Sequence, residues 1–193
     1  MKSQVTTHYG DEGMTRTLSG IRAPKHHPIL EAAGDLDTFR SHLALLRLDL
    51  LEEAGRPHEE EAAFLWWLLH VCFLMGSAVS DPGRAHPEFR QGEIDEAYIQ
   101  RLESEQMRLE EKVRLPHAFI VSASNRCAAE ADIAATLARR FERRLTALKE
   151  AEPAFACAAL LVFVNRLSDY LFILARYLDG GTYQTVDYSA AHP

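Results

Sequence analysis

The sequence predicts an all-α protein, one bundle of five helices behind an extended N-terminal arm. Three observations predict it. Apolar residues recur at steps of three and four through the long intervals, as one face of a helix requires. Short breaker clusters separate those intervals: Gly55-Arg56-Pro57, Asp81-Pro82-Gly83, Leu115-Pro116-His117, Glu152-Pro153 and Gly180-Gly181. No interval alternates with the two-residue period of a sheet over several strands, and no internal repeat is visible. With 193 residues, 47% of them hydrophobic, one sizeable core is expected. Short connections make most neighbouring helices antiparallel.

Residues 1–27 are polar and rich in Gly, Thr and Pro, and read as a loop or arm ending in Pro24-Lys25-His26-His27-Pro28. The bundle occupies residues 28–179. Its first helix runs from Ile29 to Ala54 on Ile29, Ala33, Leu36, Phe39, Leu43 and Leu46. The second carries Glu59, Glu60 and Glu61 at the positive end of its dipole and runs to about Ser80. The very apolar Ala62–Met75 stretch within it reads as a fully buried helix. A third helix, from Glu93 to about Arg114, has a thin apolar stripe and many charges, and reads as a solvated outer helix. Ser124 is placed as the N-cap of the fourth, which ends near Lys149. The fifth spans about Ala154 to Leu178, and residues 180–193 form a polar tail.

Charge and composition narrow the function. A formal charge of −7, from 21 Lys+Arg against 28 Asp+Glu, argues against a general nucleic-acid binder, which needs a basic face. A local basic cluster for a small phosphate ligand is still allowed. Cys72, Cys127 and Cys157 are widely spaced and read as buried hydrophobes of a reducing compartment. The opening residues lack the apolar core of a signal peptide, and His70 interrupts the Ala62–Met75 run, which is shorter than the ~20 residues of a membrane span. The expectation is a cytoplasmic protein with no membrane partner. Nine histidines without HExxH or i,i+4 pairing offer no protein metal site.

Three segments carry candidate chemistry. Thr7-His8-Tyr9-Gly10-Asp11-Glu12-Gly13-Met14-Thr15, followed by Gly20-Ile21-Arg22-Ala23-Pro24-Lys25, combines glycines, hydroxyls and cations. Backbone N–H groups in such a segment can nest a phosphate, although a polar chain terminus has a similar composition. Arg139-Arg140-Phe141-Glu142-Arg143-Arg144 puts Arg139 and Arg143 on one helical face, and Arg140 and Arg144 on another; a solvated basic face reads the same way. Asn165-Arg166-Leu167-Ser168-Asp169 sets polar groups inside the apolar run from Phe155 to Leu174. There they must pair with one another or meet a ligand.

Taken together and in this order, the pieces resemble the PduO-type ATP:cob(I)alamin adenosyltransferases over about Thr7 to Tyr177. The family's opening pattern is met by Thr7, Gly10, Asp11, Gly13, Thr15, Gly20, Arg22 and Lys25, and its first-helix Gly-x-x-Asp by Gly34 and Asp37, where Ser41 also fits. Phe119-Ile120 fits the start of its Phe-Ile-Leu-Pro-Gly-Gly segment. Arg139 to Arg143 fit its Arg-Arg-x-Glu-Arg run, and Asn165 to Asp169 match its fifth-helix signature outright.

The resemblance implies a five-helix bundle of the cobalamin adenosyltransferase type, assembled as a homotrimer. ATP with Mg2+ and a corrinoid such as cobalamin would share a site between subunits. It implies that Thr7, His8, Gly10, Asp11, Gly13, Thr15 and Lys25 hold the nucleotide's phosphates, with Arg139, Glu142, Asn165 and Asp37 as the catalytic group. Phe119 would sit against the lower corrinoid face. The implied reaction is attack of Co(I) on the 5′ carbon of ATP with triphosphate leaving, a step served by positioning and by charge stabilisation.

The chain also departs from the pattern. His8 stands where the family has a cationic residue, and Pro-Gly-Gly-Ser becomes Ser122-Ala123-Ser124-Asn125. The family's Leu-His-x-Ala-Arg-Thr reads Ala131-Asp132-Ile133-Ala134-Ala135-Thr136. Ala135 thereby removes an arginine that the family pairs with the aspartate matched by Asp37, and Arg40, one turn away, is placed to compensate. A relative that binds ATP or corrinoid without turnover is the alternative these departures leave open.

Overall fold

The computed structural model of the chain describes residues 5–6, 8–18, 20–53, 58–121, 123–181 and 183–192. Five long helices form the body: α1 (Pro28–Glu52), α2 (Glu59–Ser80), α3 (Glu96–Glu110), α4 (Arg126–Ala151) and α5 (Ala158–Leu178). Packing runs α2 on α1, α1 on α4, α4 on α5 and α5 on α3, so α4 and α5 are the central layer. The all-α expectation holds for this body. The expected first-helix end at Ala54 and its Gly55-Arg56-Pro57 stop lie outside the described residues.

The core is made by the apolar positions that define each helical face. Phe39, Leu43 and Leu46 of α1, Phe141 and Leu145 of α4, and Phe163, Leu167 and Tyr170 of α5 are fully buried members of one core cluster, formed where α4 packs on α1 and on α5. Each such large side chain contributes about 1.5–3 kcal/mol on leaving water. The three cysteines are free and buried. Burial pushes the Cys72 thiol up to about 12 and the Cys127 thiol to about 11, so both stay protonated and inert near neutrality.

Several boundaries differ from the expected ones, each for a local reason. His27 caps α1, its Nδ1 accepting the Ile29 N–H at 3.3 Å, with Pro28 in the first turn where it lacks only an orphan donor. Asn125, not Ser124, caps α4: its Oδ1 accepts the Ala128 N–H at 2.9 Å, while Ser124 bonds elsewhere. Helix α5 begins at Ala158 because Glu152 to Phe155 form a turn closed by Phe155 N–H to Glu152 O at 2.8 Å. Helix α3 is 15 residues long, shorter than expected at both ends, with Asp95 as its cap. It is the solvated outer helix with a thin apolar stripe that was expected. Ile99, Leu102 and Leu109 are buried against α5, and Arg108 ties Glu105 to Glu60 and Glu61 of α2 at 2.7–2.9 Å.

Two further corrections concern exposure and the arm. Helix α2 is buried on one side only; Trp66 and Phe73 are 52% and 63% exposed on the other. By length and composition α2 and α5 are each apolar enough to cross a membrane, and 44% and 56% of their most apolar windows are buried inside the bundle. The arm, expected to be irregular, contains a two-stranded hairpin. Strands β1 (Met14–Arg16) and β2 (Arg22–Pro24) pair antiparallel, Thr15 opposite Ala23. Gly20, at φ 79°, makes the turn, its N–H donating to Thr17 O at 2.9 Å.

Candidate functional site

The arm folds its phosphate candidates into a compact loop. Residues 8–13 make consecutive turns, Asp11 N–H to His8 O at 3.4 Å and Gly13 N–H to Gly10 O at 3.2 Å, with His8 at φ 59° and Gly13 at φ 76°. Lys25 N–H donates to Gly13 O at 2.9 Å and locks the loop to the end of β2. The end of the Lys25 side chain packs closely on Gly10: a methyl group there would lie 3.1 Å from its Cε and Nζ. His8 turns onto Asp11, Nδ1 to Oδ2 at 3.1 Å, and Arg16 donates to the Tyr9 hydroxyl at 2.7 Å. Gly10, Asp11, Gly13, Thr15 and Lys25 are thus brought together by the hairpin. Thr7 lies outside the described residues.

Asp37 stands on α1 close to this arm: Leu18, Asp37, Arg40 and Phe73 line one cavity of about 310 Å³. Arg40 Nη2 donates to Asp37 Oδ1 at 2.9 Å, and its guanidinium lies over the Phe73 ring at 4.9 Å. Asp37 therefore keeps a cationic partner although Ala135 offers none. Ala135 itself is buried where α4 packs on α1.

The second group sits on α4 and α5. Asn165 Nδ2 donates to Glu142 Oε1 at 3.2 Å, and Arg166 joins Asn165 Oδ1 at 2.8 Å to Glu103 of α3 at 3.0 Å. Of the polar residues read inside the apolar run, Asn165 and Arg166 thus pair with each other and with acids of α4 and α3. Arg139 is exposed one turn before Arg143, and no carboxylate among the described residues pairs with its guanidinium. Its neighbours are used differently. Arg140 reaches Asp35 at 2.7 Å, while Arg144 reaches Glu31 at 2.7 Å and Asp35 at 3.1 Å, clamping α4 to α1. Among the described residues no hydrogen bond or ion pair joins the arm to Arg139, Glu142 or Asn165.

Phe119 marks a third place. Its ring is 77% exposed at the rim of a cavity of about 320 Å³, walled by Leu115, Ile120, Val121 and Phe172 and by the charged side chains Asp132 and Arg176. The polar tail holds this segment. Val121 N–H donates to Gln184 O at 2.8 Å, Val186 N–H to Phe119 O at 2.9 Å, and Ile120 bridges Thr185. Of the altered stretch 122–125, Ser122 lies outside the described residues.

Sequence reasoning missed the ionic group beneath Phe119. Arg176, 3% exposed, donates to Asp132 Oδ2 at 2.6 Å and lies 3.2 Å from Asp179 Oδ2. Asp179 Oδ1 accepts both the Ser124 N–H and its hydroxyl at 2.7 Å. Burial raises the Asp132 carboxyl above its ordinary range, against the pull of Arg176. An arginine late in an apolar helix, followed by an aspartate three residues on, was the available signal.

A five-helix bundle with a glycine- and lysine-bearing hairpin arm and a polar α4–α5 group places the chain in a class of small all-α bundle proteins. Within it, this chain belongs to the cobalamin adenosyltransferase family, whose sequence model matches residues 5–178. It is 34% identical over 177 residues to a cobalamin adenosyltransferase of Cupriavidus metallidurans, covering 92% of this chain and 89% of that one. It is 33% identical to the corrinoid adenosyltransferase PduO of Salmonella typhimurium, of which it spans 51%. A variant PduO-type ATP:corrinoid adenosyltransferase from Lactobacillus reuteri, solved with cobalamin and ATP, shares the fold at a TM-score of 0.83 and 22% identity, covering 95% of this chain and 99% of that one.

Proposed function

We infer that this chain is an ATP:corrinoid adenosyltransferase. The electron pair of a Co(I) corrinoid forms the cobalt–carbon bond at C5′ of ATP, the C5′–O bond breaks, and triphosphate leaves with that bond's electrons. Family membership carries the reaction class; the preserved arm carries its assignment to this chain. Gly10 and Gly13 let the arm turn tightly, and the Lys25 ammonium lies against Gly10, a cation placed for charge developing on a leaving polyphosphate. His8, Asp11 and Thr15 belong to the same loop.

Arg139, with a free guanidinium, is assigned to the nucleotide, and the Glu142–Asn165 pair to holding that face of α4 and α5 in register. Asp37 with Arg40 supports the arm side. That pair answers the loss of an arginine at 135, so no observation favours a binding-only protein. Mg2+ would be supplied with the nucleotide: among the described residues no three His, Cys, Asp or Glu gather as a cage, and Mg2+ usually binds through one or two carboxylates plus phosphates. Asp11 is the carboxylate in place for it. Phe119 and its cavity are assigned to the corrinoid.

No hydrogen bond or ion pair joins the arm to Arg139, Glu142 or Asn165 among the described residues, and Trp66 and Phe73 leave an apolar face open on α2. Both support a homotrimer with its site shared between subunits. The deciding experiment is anaerobic incubation of chemically reduced cobalamin with ATP and the protein. Loss of the Co(I) absorption with stoichiometric triphosphate is expected; neither product at high protein concentration would overturn the reading.

A further inference from the structure

The cavity beside Phe119 is apolar on nearly every side. Among the described residues its only charged side chains are Asp132 and Arg176. Arg176 is buried and flanked by acids: its side chain is 3% exposed, lies between Asp132 and Asp179, and has the Phe172 ring 5.3 Å from its guanidinium carbon. Asp179 is committed too, its side chain wholly buried and one oxygen taking both donors of Ser124. Two carboxylates around one guanidinium leave a formal charge of −1 on the group.

That surplus is presented by Asp132. Its side chain is 33% exposed, and only Oδ2 is engaged; Oδ1 has no hydrogen bond among the described residues. The cavity thus offers an apolar wall with one open acceptor of negative charge. Such a wall suits a flat, largely apolar ligand whose rim carries N–H donors. It disfavours the same ligand with carboxylates on that rim, since like charges brought together in a partly desolvated site repel strongly. The corrin macrocycle fits the first description when its acetic and propionic side chains are amidated, and the second when they are free acids.

We propose that Asp132 is a selectivity residue of the corrinoid subsite beside Phe119, accepting a hydrogen bond from a side-chain amide and rejecting corrinoids that carry free carboxylates there. This rests on the adenosyltransferase reading. It places the enzyme after the reactions that amidate the corrin side chains, because their unamidated precursor is the substrate Asp132 repels.

The test compares two reduced corrinoids at saturating ATP: cobinamide, whose ring side chains are amides, and cobyrinic acid, whose side chains are carboxylic acids. The native protein is expected to favour cobinamide in kcat/KM by about tenfold or more. Asp132→Asn removes the charge and should narrow that preference mainly through the KM for cobyrinic acid, with the KM for ATP unchanged. Asp132→His, which installs the family's residue, should narrow it as well, and guards against poor folding of the asparagine variant. A native protein that uses both corrinoids equally overturns the proposal whatever the variants do. So does an unchanged preference in either folded variant. Failure to turn over any corrinoid would instead overturn the proposed function itself.

Discussion

Asp37 and Arg40 lie on one turn of α1 in a 2.9 Å contact, which on the proposed function stands in for a partner that Ala135 of α4 does not supply. The side chains are 70% and 37% exposed, so the pair is worth no more than about 1 kcal/mol, or a few-fold in rate. Arg40→Ala should therefore lower kcat/KM for ATP by a few-fold. Adding Ala135→Arg to that variant should return most of the loss. Alone, Ala135→Arg should lower the thermal midpoint, because extra bulk at a buried position costs about 1–3 kcal/mol. A double variant no better than Arg40→Ala would show that Arg40 does not stand in for the missing arginine. This pairing was legible in the sequence, since i,i+3 spacing on a helix is a fixed geometry. The Asp132–Arg176–Asp179 group was not: its members come from two helices and the residue that ends one, and only packing brings them together.

The long helices were read correctly because each buries a whole face, and burial imposes the three-to-four step over twenty or more residues. The arm hairpin escaped because its strands are three residues each, too short to show a two-residue period. The tail escaped for a related reason. Residues 184–186 pair through backbone groups, which leave no mark in side-chain pattern. This element has a testable role. The two hydrogen bonds to Phe119 and Val121 hold the cavity rim, and each contributes about 0.5–1.5 kcal/mol. A chain ending after Gly181 should raise the KM for corrinoid by about tenfold, the equivalent of about 1.4 kcal/mol. Its KM for ATP should stay put, because the arm makes no bond to the tail among the described residues. Parallel rises in both KM values would mean the tail supports the bundle rather than the rim.

At the scale of the molecule, the residues assigned to ATP fall into two groups that no hydrogen bond or ion pair joins among the described residues. The arm with Lys25 lies beside α1 and α2, while Arg139, Glu142 and Asn165 lie on α4 and α5. In the proposed homotrimer a head-to-tail ring would bring the arm of one subunit to the α4–α5 group of the next, three such contacts closing the ring. The expected particle mass is three times 21.7 kDa by light scattering. Mass alone does not show that the site is shared, but complementation does. Lys25→Ala and Arg139→Ala chains should each be nearly inactive as homo-oligomers. Unfolded together in equal amounts and refolded, they form mixed rings in which an intact arm sometimes meets an intact Arg139. Random assembly makes about a quarter of the sites whole, because each site draws its two halves independently from equal pools. Recovery of activity toward that fraction is the signature of a site built between subunits. A site confined to one chain recovers nothing, since every chain in the mixture is defective in one half.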